Sequence, residues 1–296
     1  MDRGSGPDGP RGSVTRVYLS VDLEGVAGIS HDRPTTRGDD GYDAAVALMV
    51  GEANAAIEGA FTGGAAEVVL NDSHGSMYNL VPADLDPRAV VVQGQKAWSM
   101  VQGAEPGSAL VGDGPFGVAL FVGYHARAGH PTGVIAHTYS SAPTLTTLDG
   151  RPVGETGINA AVLGAWGIPV GLVAGDDRLA DEVADWLPNA ERVVVKRAVG
   201  WRAAASVHPS VARDLVRAGA ERAVRRAAAG ELEPLTVPTP VRIEVEYRNG
   251  GEADHAAVVP LTERYGDRGV RISAPDMPTA YRAFLAGIRL VSFAAA

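Results

Sequence analysis

Asp22 and Glu24 stand two residues apart in Ser20-Val21-Asp22-Leu23-Glu24-Gly25, at the end of a segment that alternates with a period of two. Val17, Leu19 and Val21 fall on one side of it, and Tyr18, Ser20, Asp22 and Glu24 on the other. Side chains of a strand alternate between its faces, so the two carboxylates project from the same face, one after the other. Carboxylates held that close repel each other unless a positive charge lies between them. A metal ion is the simplest such charge.

Other segments supply partners for it. Apolar runs at 67–70, 118–122 and 168–174 end in Asn71-Asp72-Ser73-His74, Gly123-Tyr124-His125 and Gly175-Asp176-Asp177-Arg178. A helical pattern at 154–166 opens with Glu155. The candidate ligands are therefore Asp22, Glu24, His74, His125 and Glu155. Three carboxylates and two imidazoles, in a chain without cysteine, suit Zn²⁺ or a related divalent ion. The set is large enough for two ions bridged by one carboxylate, which would activate a water and polarise a scissile carbonyl.

Several of these residues also have plainer roles. Glu155 could complement a helix dipole as a first-turn acid. Asp72 and Ser73 could cap the segment that follows. Asp176-Asp177-Arg178 reads better as a helix cap with a paired arginine. His137, in Gly133-Val134-Ile135-Ala136-His137-Thr138, is open between ligand, general acid/base and satisfied core histidine. His31, His130, His208 and His255 sit in polar or Pro-flanked stretches and are assigned no role.

The elements that must position these groups alternate. A strand at 15–22 leads through a polar loop to a helix at 42–61, closed by Gly63-Gly64. Strands follow at 67–70, 90–92, 118–122 and 134–139, the last carrying His137. A turn at Asp149-Gly150, the helix at 154–166, a strand at 168–174 and a helix to Trp186 complete the run. This pattern predicts an α/β fold: a three-layer, largely parallel sheet with helices on both faces. Such sheets bind ligands beyond the carboxyl ends of their strands, where the candidate residues cluster.

The remainder differs: a long Ala/Arg-rich helix at 206–229, a Pro-containing connector, strands at 241–247 and 270–273, and a helix from Pro278 to Leu290. We expect a disordered extension at 1–14, a catalytic α/β domain at 15–195, and a smaller C-terminal α+β subdomain at 196–296.

Composition removes other classes. The net charge of −9 has no basic stripe, which argues against a nucleic-acid partner. The apolar runs are short and broken, so no membrane association is expected, and a cytoplasmic location follows by default. There is no Gly-x-Ser-x-Gly elbow for a serine hydrolase. The Gly-Asn-His signature of dinuclear phosphoesterases is missing too. A non-catalytic peptide-binding protein is the third alternative.

Taken together, five stretches resemble the M55 family of zinc metallopeptidases, the DppA-type D-aminopeptidases. They are Ser20-Val21-Asp22-Leu23-Glu24-Gly25, Asn71-Asp72-Ser73-His74, Gly123-Tyr124-His125-Ala126-Arg127-Ala128, Pro152-Val153-Gly154-Glu155 and Val173-Ala174-Gly175-Asp176-Asp177-Arg178. Ser99-Met100-Val101 with Gly103 adds a sixth, and the order runs through most of the chain. The resemblance implies a dinuclear zinc centre on Asp22, Glu24, His74, His125 and Glu155, and a catalytic role for His137. It also implies hydrolysis of the N-terminal bond of short peptides that begin with a small D-residue such as D-alanine, and a decameric ring of two stacked pentamers. Residues 140–147 depart from the family pattern and are expected to bear on the substrate pocket.

Overall fold

The computed structural model describes residues 15–110 and 114–294; the extension expected to be disordered, 1–14, lies outside them. The chain enters through β1 (Thr15–Val21), crosses by α1 (Tyr42–Thr62) to β2 (Ala65–Asp72), and continues to β3 (Ala89–Val92) and β4 (Val118–Tyr124). The hairpin β5 (Pro143–Leu148) and β6 (Arg151–Pro152) precedes α2 (Glu155–Ala165), β7 (Val170–Asp176), α3 (Asp177–Trp186), β8 (Glu191–Gly200) and β9 (Ala203–Ser206). Then come α4 (Pro209–Ala228), β10 (Val241–Tyr247), α5 (Gly250–Ala257), β11 (Thr262–Tyr265), β12 (Gly269–Ala274) and α6 (Met277–Ala294).

Seven strands form the main sheet in the order β3-β2-β1-β4-β7-β8-β9. All neighbours are parallel except β8 and β9. The period of two in β1 sorts its side chains as expected. Val17, Leu19 and Val21 enter a core with α1 and α4, and Tyr18 enters the core on the opposite face with α2 and α3. Every residue of β4 and β7 is buried, as a sheet covered on both faces requires. Among the described residues only α1 is long and apolar enough to cross a membrane, and here it packs against α4 and the sheet.

A second, antiparallel sheet, in the order β11-β12-β10-β5-β6, packs with α5 and α6 beside α2. The two sheets do not divide at residue 195. β8, β9 and α4 belong to the main sheet and its helical layer, whereas β5 and β6 join the smaller sheet by pairing with β10. Residues 143–147, read as part of a divergent loop, form most of β5.

One predicted strand is a loop. Residues 134–139 contain Ile135 at φ 50° and Tyr139 at φ 61°, left-handed conformations that no strand accommodates. Their backbone donors serve distant partners: Val134 N–H reaches Asp176 Oδ2, Ile135 N–H the Trp201 carbonyl, and Tyr139 N–H Glu155 Oε1. The apolar run Val134-Ile135-Ala136 imitates a strand because this loop is itself buried.

Candidate metal centre

β1 and β4 run side by side and their ends meet backbone to backbone. Gly25 N–H donates to the Gly123 carbonyl at 2.7 Å. A Cβ on Gly25 would lie 1.8 Å from the Tyr124 oxygen, and one on Gly123, at φ +72°, 2.1 Å from the Asp22 oxygen. Only glycine permits this approach, which sets Asp22 and Glu24 next to His125. β2 delivers His74 from the other side.

Six side chains converge there in two groups: Asp22, Glu24 and His74, and His125, His137 and Glu155. All five ligands proposed from the sequence are brought together, with His137 beside them. His74 Nδ1 lies 3.1 Å from Asp22 Oδ1 and 2.9 Å from Glu24 Oε2. His125 Nε2 lies 3.5 Å from Asp22 Oδ2 and 3.4 Å from Glu155 Oε1. Asp22 thus turns one oxygen toward each group.

The three imidazoles share one device. His74 Nε2–H donates to the Thr35 carbonyl at 2.7 Å, His125 Nδ1–H to that of Ala126 at 3.0 Å, and His137 Nδ1–H to that of Ile135 at 2.8 Å. Each backbone carbonyl fixes a tautomer and leaves the other nitrogen, with its lone pair, among the carboxylates, as metal-binding histidines require. His125 Nε2 is buried and has no hydrogen-bond partner among the described residues. A buried orphan nitrogen costs roughly 1–3 kcal/mol, and a cation between it and the carboxylates removes that cost. The donor set fits zinc.

The electrostatics agree. Burial, then the charge of Glu24, pushes Asp22 up to about 8, against the pull of His74. Burial pulls His125 down, but Glu155 and Asp22 outweigh it and raise it to about 10; Glu24 and Asp22 raise His74 likewise. Burial pushes Glu24 and Glu155 up, yet the neighbouring histidines hold both below the usual range. Without metal the site collects protons on His74, His125 and Asp22 to balance its carboxylates. Divalent ions would displace those protons on binding.

Supporting residues fix the loops. Lys196 of β8 is buried, and its ammonium donates to the carbonyls of Glu24, Val26 (3.1 Å) and Ile29 (2.7 Å), which uses all three N–H groups. Burial draws it down to about 8. Glu182 of α3 accepts from Gly154 N–H at 2.8 Å and Arg127 N–H at 3.0 Å, tying the segments of Glu155 and His125 together. Asp72 accepts from the Leu80 N–H at 2.8 Å and so shapes the loop after His74.

The plainer roles coexist with the site. Asp176 caps α3 through Leu179 N–H, and its other oxygen holds Val134. Glu155 is the first residue of α2 and also accepts from Tyr139 N–H. His208 caps α4, and His130 Nδ1 accepts from Thr132 and Gly133 within its own loop. Sequence reasoning missed Lys196, Glu182 and the Thr35 carbonyl. The available signal was a lysine directly after the apolar run Val193-Val194-Val195.

Buried carboxylates and tautomer-fixed histidines at the carboxyl edge of a parallel sheet define a metal-dependent hydrolase site. The D-aminopeptidase family model, M55, matches residues 15–286, and the chain belongs to that family of hydrolases. It is 37% identical over 272 residues to the D-aminopeptidase of Bacillus subtilis (strain 168), covering 91% of this chain and 95% of that one. It also superimposes, with a TM-score of 0.87 and 36% identity, on the solved Zn-dependent D-aminopeptidase DppA from Bacillus subtilis, described as a self-compartmentalizing protease. That match covers 94% of this chain and 98% of DppA.

Proposed function

We propose that this chain is a zinc-dependent D-aminopeptidase that removes a small N-terminal D-residue, such as D-alanine, from short peptides. The observation that carries the reading is the convergence of Asp22, Glu24, His74, His125 and Glu155 with His137, within a chain of this family. Asp22, Glu24 and His74 would hold one zinc, and His125, Glu155 and Asp22 a second. Zinc bound there supplies a Lewis acid and brings the pKa of a bound water toward about 7.

The chain's own groups do the rest. His137 is a quarter exposed, and burial favours its neutral imidazole. Its Nδ1–H is committed to Ile135, so Nε2 accepts a proton during attack and returns it to the departing amine. The ring stacks on His125 with centroids 4.0 Å apart, which fixes where that nitrogen lies. The buried walls around the site keep bulk water from competing.

Assembly into a closed homo-oligomer, a decamer in our reading, is supported by DppA's description as self-compartmentalizing. Val199, Trp201, Val258 and Phe293 are exposed on this chain and available for such contacts. The test of the activity is turnover of D-Ala-D-Ala beside L-Ala-L-Ala. Chelator-sensitive release of alanine from the D-peptide alone is the expected result. Cleavage of the L-peptide at an equal rate, or of neither, would overturn the proposal.

A further inference from the structure

Next to the metal centre lies a second cavity of ≈ 510 Å³, and Met77 and Tyr139 line both. Leu285 and Ile288 of α6 supply apolar wall, and Lys96 and Arg289 bring two cations. Its volume is that of a small-ligand pocket, for which roughly 300–1,000 Å³ is usual.

Neither cation forms a salt bridge among the described residues. Lys96 Nζ donates to Asn71 Oδ1 at 2.6 Å and to the Asp72 carbonyl. One of its three N–H groups is therefore uncommitted. Arg289 Nη2 donates to the Lys96 carbonyl at 2.6 Å and, at 3.5 Å, to that of Ala97. Its Nε and Nη1 have no hydrogen-bond partner among the described residues. Elsewhere on the surface Arg217, Arg226, Arg248 and Arg271 all hold a carboxylate.

The wall is also held under strain. Met77 (φ 64°), Ser99 (φ 50°) and Tyr139 (φ 61°) are three of the six non-glycine residues with positive φ among the described residues, and all three line this cavity. Such conformations cost about 1–3 kcal/mol each and gather where a site needs its walls in one place. The two cations, Lys96 and Arg289, thus stand in a cavity that shares Met77 and Tyr139 with the metal centre. A short peptide cut at its amino end carries a carboxylate at the other end, the charge that these cations match.

We infer that the second cavity receives the free C-terminal carboxylate of a short peptide, with Arg289 and Lys96 as its partners. The inference rests on the aminopeptidase reading above and narrows its substrate to small peptides that end in a free acid. Guanidinium and ammonium groups recognise carboxylates through charge-assisted hydrogen bonds. An amidated C-terminus offers no charge and brings its own donors toward theirs.

The test compares D-Ala-D-Ala with its C-terminal amide, D-Ala-D-Ala-NH₂, on the zinc-loaded wild type and on Arg289→Gln. A charged hydrogen bond is worth about a factor of ten or more. The wild type should therefore favour the free acid in kcat/KM by about tenfold or more, mainly through KM. Arg289→Gln should raise KM for the acid and bring the acid-to-amide ratio close to one. Should that variant fold poorly, loss of the wild type's preference for the acid when acetate is added serves in its place. Equal turnover of acid and amide by the wild type, or an unchanged ratio in Arg289→Gln, overturns the assignment. If the wild type cleaves neither peptide, the aminopeptidase reading fails and this inference falls with it.

Discussion

Replacing Asp22 with asparagine should remove metal and activity together. Asp22 presents one oxygen to each group, with Oδ1 3.1 Å from His74 Nδ1 and Oδ2 3.5 Å from His125 Nε2. Asparagine keeps the shape but replaces one oxygen with an NH₂ donor and removes the charge. A cation would then face that donor from one side, so turnover should fall by about a thousandfold or more, with zinc content falling in parallel. Metal-free stability should move the other way. Asp22 is buried against Glu24 and Glu155, and burial, then repulsion from those carboxylates, pushes its carboxyl up to about 8. Relief of that repulsion should leave the Tm of chelated Asp22→Asn equal to or above that of the chelated wild type. A variant that keeps its zinc, or that loses activity only because the metal-free protein unfolds, would contradict the role given to Asp22.

His137→Ala should behave differently. Its nearest carboxylate oxygen, Glu155 Oε1, is 3.9 Å from Nε2, and its Nδ1–H is held by Ile135. General acid–base groups contribute about 10²–10⁴ in rate, so kcat should drop by that factor with little change in KM. Zinc per chain should stay at the wild-type value, because Asp22, Glu24, His74, His125 and Glu155 remain. Metal analysis and steady-state kinetics on one preparation separate the two possibilities. Loss of one zinc would make His137 a ligand instead of a proton carrier.

These two residues show how differently a site can be written in a sequence. Asp22 was legible because its environment is local: a strand alternates with a period of two, and two acids on one face two residues apart need a counter-charge. His74 and His125 were legible by the same logic, since each follows an apolar strand whose end must lie on the carboxyl edge. His137 sits in a loop whose backbone donors are taken by Asp176, Glu155 and Trp201, residues 16 to 66 positions away. Nothing in Val134-Ile135-Ala136 announces those partners, and its apolar character reads as a strand.

Long-range pairing hid the smaller sheet in the same way. β5 pairs with β10 across about a hundred residues, Thr147 opposite Glu244. A reading that proceeds along the chain assigns each to its sequence neighbours, which is why a boundary at 195 looked natural. Lys196 is the counterpart within the site. Its side chain crosses from β8 to the loop after β1, and only the fold shows that its three donors meet three carbonyls there.

The measurement that tests the central claim most directly is a zinc titration of the chelated protein, with D-Ala-D-Ala hydrolysis followed at each addition. Two groups of ligands, with Asp22 turned toward both, predict that activity rises until two zinc ions are bound per chain and then levels off. Saturation at one zinc per chain, or full activity in the chelated protein, would contradict it.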